Sequence, residues 1–133
     1  VAQLECSIVS PVKKVYEGKA RYIKAPGRIG EFGVLAGHED FITILDPGIL
    51  SLEIDEEGVD EYFVTGGYFE VTEDNVIVIA DEIYKREEIN RDEALKKAEE
   101  LKQAIEEKGF SDPEYEKLKY QYEKYSKMAD FAS

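Results

Sequence analysis

Short apolar clusters alternate with polar residues along the first two thirds of the chain. Leu4, Cys6 and Ile8 alternate with Glu5 and Ser7, the period of a strand with one buried face, and Pro11 closes the segment. Residues 12–16 and 20–24 form further short strand candidates, separated at Gly18. Phe41–Leu45 is an apolar, β-branched run that ends at Asp46-Pro47-Gly48, a turn signature. Leu50, Leu52 and Ile54 alternate again, and Asp55-Glu56-Glu57-Gly58 turns the chain into residues 61–65. Gly66-Gly67 permits a turn or bulge before Tyr68, with Phe69 expected in the core. Residues 68–71 and 76–80 flank a tight turn at Glu73-Asp74-Asn75. Eight to ten short strands with no intervening helix of 10–15 residues predict an antiparallel sandwich or flattened barrel and disfavour a parallel βαβ arrangement.

Near Arg86 the period changes from two to about 3.6. Asn90 is placed to cap a helix, with Glu93 three residues on and acids at Asp92 and Glu93 suiting the positive helix end. Ala94, Ala98, Leu101 and Ile105 form the stripe, widened by Leu95 and Ala104, and the helix stops at Lys108-Gly109. Ser111 or Asp112 then caps a second helix, with Pro113 in its first turn and Tyr115, Leu118, Tyr122, Tyr125 and Ala129 as its stripe. The expected organisation is a sandwich over residues 1–86 followed by an antiparallel two-helix hairpin over 87–133. Alanines bury little area and tyrosines keep a polar rim, so this hairpin is marginal alone and must dock.

Composition narrows the function. Nine of the ten glycines and three of the four prolines fall before residue 87, in keeping with the change of period. The net charge of −13, from 17 basic and 30 acidic residues, argues against a nucleic-acid partner and against a polybasic lipid anchor. Apolar runs stop at five or six residues, far short of the roughly 20 that span a bilayer, so no direct membrane insertion is expected. No secretory signal opens the sequence given, and a single cysteine, Cys6, fits a reducing compartment.

Candidate chemistry is sparse. Cys6 alternates with Leu4 and Ile8 and belongs to the core rather than to a Cys–His nucleophile pair with His38. One cysteine and one histidine are too few for a zinc site. Gly27-Arg28-Ile29-Gly30-Glu31-Phe32-Gly33 spaces its glycines only loosely like a dinucleotide fingerprint and lacks the helix such a loop needs, so the glycines serve tight turns. His38, between Gly37 and Glu39-Asp40, is expected to organise this loop or contact a partner rather than transfer protons. From the residues alone, an interaction module, a small carboxylate-based hydrolase or ligand-binding β-sandwich, and a free-standing ATP sensor all remain open.

Longer motifs distinguish them. They are Ile8-Val9-Ser10-Pro11, the run from Ala25-Pro26-Gly27-Arg28 through Ile29-Gly30-Glu31-Phe32-Gly33-Val34-Leu35-Ala36-Gly37-His38, then Leu45-Asp46-Pro47-Gly48, Val64-Thr65-Gly66-Gly67-Tyr68-Phe69-Glu70-Val71 and Val76-Ile77-Val78-Ile79-Ala80-Asp81, with a helical hairpin starting near Glu88-Ile89-Asn90. In this order they resemble the epsilon subunit family of the F-type ATP synthase, called delta in mitochondria. The resemblance covers essentially the whole chain and implies a mainly β, flattened antiparallel β-sandwich of about ten strands followed by an antiparallel two-helix hairpin.

It further implies a non-catalytic rotor subunit of the central stalk. Such a subunit binds gamma and the polar loops of the membrane c-ring and couples proton-driven rotation to ATP synthesis. Glu31, Phe32, Leu35, His38 and Glu39 correspond to the family's ring- and gamma-facing loop. The hairpin is expected to exchange between a compact state and one extended toward the alpha and beta subunits that restrains hydrolysis. Residues 109–133 carry four lysines, five acids and no arginine, which implies weak inhibition. Several bacterial members of the family bind ATP at an I-D-x-x-R-A motif; the matching residues are Ile89, Asn90, Arg91, Asp92, Glu93 and Ala94, where Asn90 replaces the acid and Glu93 the arginine. A carboxylate repels phosphate where a guanidinium would hold it, so no cofactor is expected and ATP only weakly. The implied location is peripheral, on the cytoplasmic face of a bacterial inner membrane, with the chloroplast thylakoid as second choice.

Overall fold

The computed structural model describes residues 2–56 and 58–133; Glu57, in the turn expected after Glu56, lies outside the described residues, as does Val1. The chain divides into two units, Val1–Lys85 and Arg86–Ser133.

The first unit contains β1 (Leu4–Ser10), β2 (Lys13–Ala20), β3 (Tyr22–Gly27), β4 (Gly30–Leu35), β5 (Phe41–Leu45), β6 (Gly48–Asp55), β7 (Gly58–Val64), β8 (Gly67–Thr72), β9 (Asn75–Ala80) and β10 (Ile83–Tyr84). They form one ten-stranded sheet that folds over between β3 and β5 into two layers, β10-β7-β6-β3-β4 and β5-β8-β9-β1-β2. The layers are joined where Gly27 stands opposite Leu45, and two backbone bonds reinforce the joint: Asp46 N–H to the Pro26 carbonyl at 2.9 Å and Arg28 N–H to the Ile44 carbonyl at 3.1 Å. This is the expected sandwich.

Alternation along each strand builds its core. Leu4, Cys6 and Ile8 of β1, Ile23 and Ala25 of β3, Leu50 and Leu52 of β6, Phe69 and Val71 of β8, and Val76, Val78 and Ala80 of β9 are all buried in one cluster. Each large aliphatic or aromatic side chain buried in this way contributes about 1.5–3 kcal/mol over its exposed state. Phe32 of β4 crosses between the layers, its ring edge-on to Phe69 at 4.9 Å and to Phe41 at 5.4 Å. Such contacts suit the negative face and positive edge of aromatic rings.

Four local expectations are corrected. Gly18 does not separate one strand from the next, because β2 runs through it to Ala20. The break falls at Arg21, which donates its N–H to the Glu53 carbonyl at 2.8 Å and ion-pairs with the Glu53 carboxylate. The glycine-rich segment after Gly27 is not a loop: only Arg28 and Ile29 turn, and Gly30–Leu35 pairs along the whole of β3. The sheet is not wholly antiparallel, since β1 runs parallel to β9. A parallel neighbour needs a long crossover, and seven intervening strands supply it here instead of a helix. The second helix starts later than Pro113, as described below.

Two turns show how the hairpins close. Between β8 and β9, Glu73 and Asp74 both have positive φ, 49° and 65°, the pattern of a two-residue turn whose twist matches the strands. Gly67 is needed for a different reason: a Cβ there would collide with the Ile79 carbonyl oxygen and approach the Ala80 Cα to 2.9 Å, and its φ is 144°.

In the second unit, a 3-10 turn (Arg86–Glu88) leads to α1 (Arg91–Lys108) and α2 (Tyr115–Ala132), which pack against each other. The α1 stripe is thin, with only Ala94 and Ala98 buried, and Leu95 remains exposed. In α2, Met128, Ala129 and Phe131 are buried while Tyr115, Leu118, Tyr122 and Tyr125 are half-buried. Helix α1 ends at Gly109, φ 77°. The chain then turns through Asp112, whose carboxylate accepts the Glu114 N–H at 2.8 Å, so helical geometry begins at Tyr115 with Pro113 before it.

Two outcomes follow. Gly67→Ala should destabilise the sandwich by about 2–4 kcal/mol, read as a lower midpoint in urea unfolding. Cys6 is buried and its thiol is pushed up to about 11, chiefly by desolvation and then by Glu5. Thiolate, the reactive form, is therefore scarce at about pH 8, and iodoacetamide should label Cys6 only when urea has unfolded the chain.

Candidate functional site

The β3–β4 hairpin and the connection to β5 hold the five loop residues named by sequence. Strand alternation decides where each points. Glu31 and Leu35 lie on the outward face of β4 and are exposed, with Gly33 between them. Tyr22 lies across Gly33 so closely that any Cβ there would run into its ring. Lys24 ion-pairs with Glu31 at 3.6 Å on the same face. Phe32 points the other way, into the aromatic contacts with Phe41 and Phe69. The five residues thus do not share one surface: Phe32 supports from beneath while Glu31 and Leu35 face out.

His38 and Glu39 sit beyond the strand, where residues 36–40 cross from β4 to β5. The His38 N–H donates to the Leu35 carbonyl at 3.2 Å, and its Nδ1 lies 2.8 Å from the Glu39 carbonyl. A carbonyl oxygen only accepts, so Nδ1 carries a proton. The ring leans on Phe41 at 5.0 Å, tilted by 48°. His38 therefore organises the loop while remaining exposed.

Beside this hairpin lies a surface to which sequence reasoning gave no role. Ile44, Tyr68 and Ile79 are direct neighbours across β5, β8 and β9, with Val9 of β1 next to Ile79. Ile42 and Ile77 make a second row through Glu70. The four isoleucines are 38–56% exposed, and Ile29 at the hairpin tip is fully exposed. Arg28, Ile29, Ile42, Thr43, Ile44 and Tyr68 line an open groove of about 390 Å³. A signal for this face existed: residues 76–80 are apolar without alternation, so one side of that strand had to face outward.

The sequence-named segment at the start of α1 is occupied with its own helix. Asn90 accepts the Glu93 N–H at 3.0 Å and is the N-cap. Arg91 donates from Nε to the Ser133 hydroxyl at 2.9 Å and lies 3.4 Å from the Asp92 carboxylate. Ala94 is buried, Ile89 half-buried, and Asp92 and Glu93 exposed. One turn earlier, Arg86 bonds the Phe131 carbonyl at 2.7 Å and stacks over the Phe131 ring at 4.2 Å. At the other end of the hairpin, Lys108 bonds Glu114 at 3.1 Å, which raises its pKa.

Among the described residues, no group of three or more His, Cys, Asp or Glu side chains is arranged to hold a metal ion. No carboxylate of the described residues lines the groove on the sandwich.

The family model of the ATP synthase delta/epsilon chain, beta-sandwich domain, matches residues 3–86. The chain belongs to this family. Among its relatives, an ATP synthase epsilon chain of Helicobacter acinonychis is 40% identical over 81 residues, 61% of this chain and 65% of that protein. That of Sulfurimonas denitrificans is 36% identical over 81 residues, 61% of this chain and 62% of that protein. The chain thus matches less than two thirds of the length of these curated relatives. Among solved structures, a chain of the Euglena gracilis mitochondrial ATP synthase has a TM-score of 0.85 at 24% identity, covering 98% of this chain and 81% of that one. A chain from the central stalk and c-ring of the Tetrahymena thermophila mitochondrial ATP synthase has a TM-score of 0.56 at 17% identity, covering 65% and 69%. At these identities the likeness is one of fold.

Asn90→Ala should destabilise the α1 end of this delta/epsilon-family chain by about 1 kcal/mol, seen as lost helical circular dichroism on warming. Asn90→Asp, which keeps the acceptor and adds a charge the helix start favours, should be neutral or stabilising.

Proposed function

We propose that this chain is a non-catalytic rotor subunit of the central stalk of a proton-translocating ATP synthase, coupling c-ring rotation to ATP synthesis through gamma. The observation that carries the reading is a family sandwich whose outward layer is left apolar. Isolated exposed isoleucines are ordinary, but rows across three paired strands form a contiguous patch, and such patches mark protein interfaces. Gamma takes the face made by Ile42, Ile44, Tyr68, Ile77 and Ile79. The polar loops of the c-ring take Glu31, Leu35, His38 and Glu39 at the neighbouring end, with Phe32 fixing the strand from the core side. A sandwich closed by paired strands is stiff enough to carry torque between the two.

The hairpin of residues 87–133 is the regulatory element and reaches the alpha and beta subunits when extended. Its near balance of lysines and acids favours weak inhibition of hydrolysis. Asn90 and Arg91 are engaged by the hairpin's own helices, which supports a compact state held by internal contacts more than by ATP at residues 89–94. The subunit works peripherally on the cytoplasmic face of a bacterial inner membrane, held through the ring; among the described residues no helix is long and apolar enough to cross a membrane.

Copurification with a gamma subunit tests the reading. Ile44→Asp or Ile79→Asp should weaken that binding by about thirtyfold or more, the size of an interface hot spot, with an unchanged thermal midpoint of the free chain. Wild-type protein that captures no gamma would overturn it. Deleting residues 87–133 should raise ATP hydrolysis by the assembled enzyme about twofold or less, as expected of weak charge attraction.

A further inference from the structure

Two aspartates outside the five candidate loop residues join the His38 loop to the opposite hairpin. Gly37 donates its N–H to Oδ1 of Asp74 at 2.7 Å. Glu73 donates its N–H to Oδ1 of Asp40 at 2.9 Å. Each segment thus supplies one carboxylate and one backbone donor to the other, so the two bonds form a reciprocal clasp between residues 36–40 and the β8–β9 turn. Bonds from an N–H to a carboxylate are charge-assisted and about twice as strong as neutral ones.

The turn end of the clasp is itself anchored. The Asp74 carbonyl accepts the Glu5 N–H of β1 at 2.9 Å, and Asn75 donates to the Glu73 carbonyl at 3.1 Å. Its backbone is also unusual, since neither residue at positive φ is glycine. A Gly would adopt this turn more cheaply, and Asp40 offsets some of the difference by satisfying the Glu73 N–H. At the loop end His38 and Glu39 are exposed, and the contacts of His38 are local: its N–H to the Leu35 carbonyl, its Nδ1 to the Glu39 carbonyl and its ring against Phe41.

We infer that Asp40 and Asp74 are positioning residues that hold the His38–Glu39 loop in register with β4 for the c-ring. The inference rests on the rotor reading above. The two carboxylates then act mechanically. Without the clasp, the ring-facing loop keeps its strand ends and the local contacts of His38, and yields under load before it transmits torque.

The test uses the full chain. Amide hydrogen exchange at Gly37 and Glu73 is measured by NMR, and affinity for detergent-solubilised c-ring and for gamma is measured in parallel. Asp74→Ala should speed Gly37 exchange about tenfold or more, the loss of one charge-assisted bond. It should weaken c-ring binding by a similar factor and leave gamma binding unchanged. Asp74→Asn, which retains an oxygen acceptor but not the charge, should keep about half of that bond's contribution and so bring both values to within about threefold of wild type. Asp74→Gly relieves the positive φ while removing the acceptor, so it guards against misfolding and must behave as Asp74→Ala does. The clasp is overturned by unchanged exchange in Asp74→Ala and Asp74→Gly. Its positioning role is overturned by faster exchange with undiminished ring affinity. Wild-type chain that binds no c-ring removes the rotor reading itself and the role with it, a result distinct from either variant outcome.

Discussion

The sandwich depends on one joint, where β3 leaves its pairing with β6 and meets β5 at Gly27. Two backbone bonds, from Asp46 N–H to the Pro26 carbonyl and from Arg28 N–H to the Ile44 carbonyl, close it. The Arg28 guanidinium adds an ion pair to Asp46 at 3.1 Å. Because the joint holds β3 in both layers, the Arg28-Ile29 turn must lie beside Ile42 and Ile44. It also fixes the distance that residues 36–40 cross between β4 and β5. The groove, the exposed isoleucine rows and the His38 loop are all placed by this one change of partner.

The acids of this chain serve the fold more visibly than any chemistry. Asp40, Asp74 and Asp112 each accept a backbone N–H at a turn, and Asn90 does the same at a helix start. Short side chains with an oxygen close to the backbone are well suited to this, which is why they collect at caps and turns. Glu31 pairs with Lys24 across strands at the surface, and Glu53 of β6 pairs with half-buried Arg21 at the break between β2 and β3. Exposed pairs such as Glu31 with Lys24 contribute up to about 1 kcal/mol each. Among the described residues, the buried cluster of the sandwich contains no acid and no histidine. The strong negative charge is therefore carried outside it.

The helical unit rests on a different balance. Alanines let α1 and α2 approach but bury little area, so a larger share falls to the end of α2. There Arg86 reaches both the carbonyl and the ring of Phe131, and Arg91 reaches Ser133. At the opposite end Lys108 reaches Glu114, so directional contacts at both ends supplement the thin apolar stripe between the helices.

Periodicity along the chain determined most strands, both helices and the change from sheet to helix, because a strand or helix buries its face at fixed intervals of its own backbone. Asn90 as a cap and Cys6 as a core residue were legible for the same local reason. The long motifs around Gly30 and Gly66 carried the family. What residues 30–35 become was not legible, since glycine-rich segments lack a clear period and this strand exists through its pairing with β3. Nor could local pattern say that Phe32 turns inward, that β1 lies parallel to β9, or that Asp40 and Asp74 each bond the backbone of the other's segment, 33 and 37 residues away in sequence. Those outcomes depend on which strands become neighbours, and that choice is made by the free energy of the whole sandwich closing over its core rather than by any stretch of chain on its own.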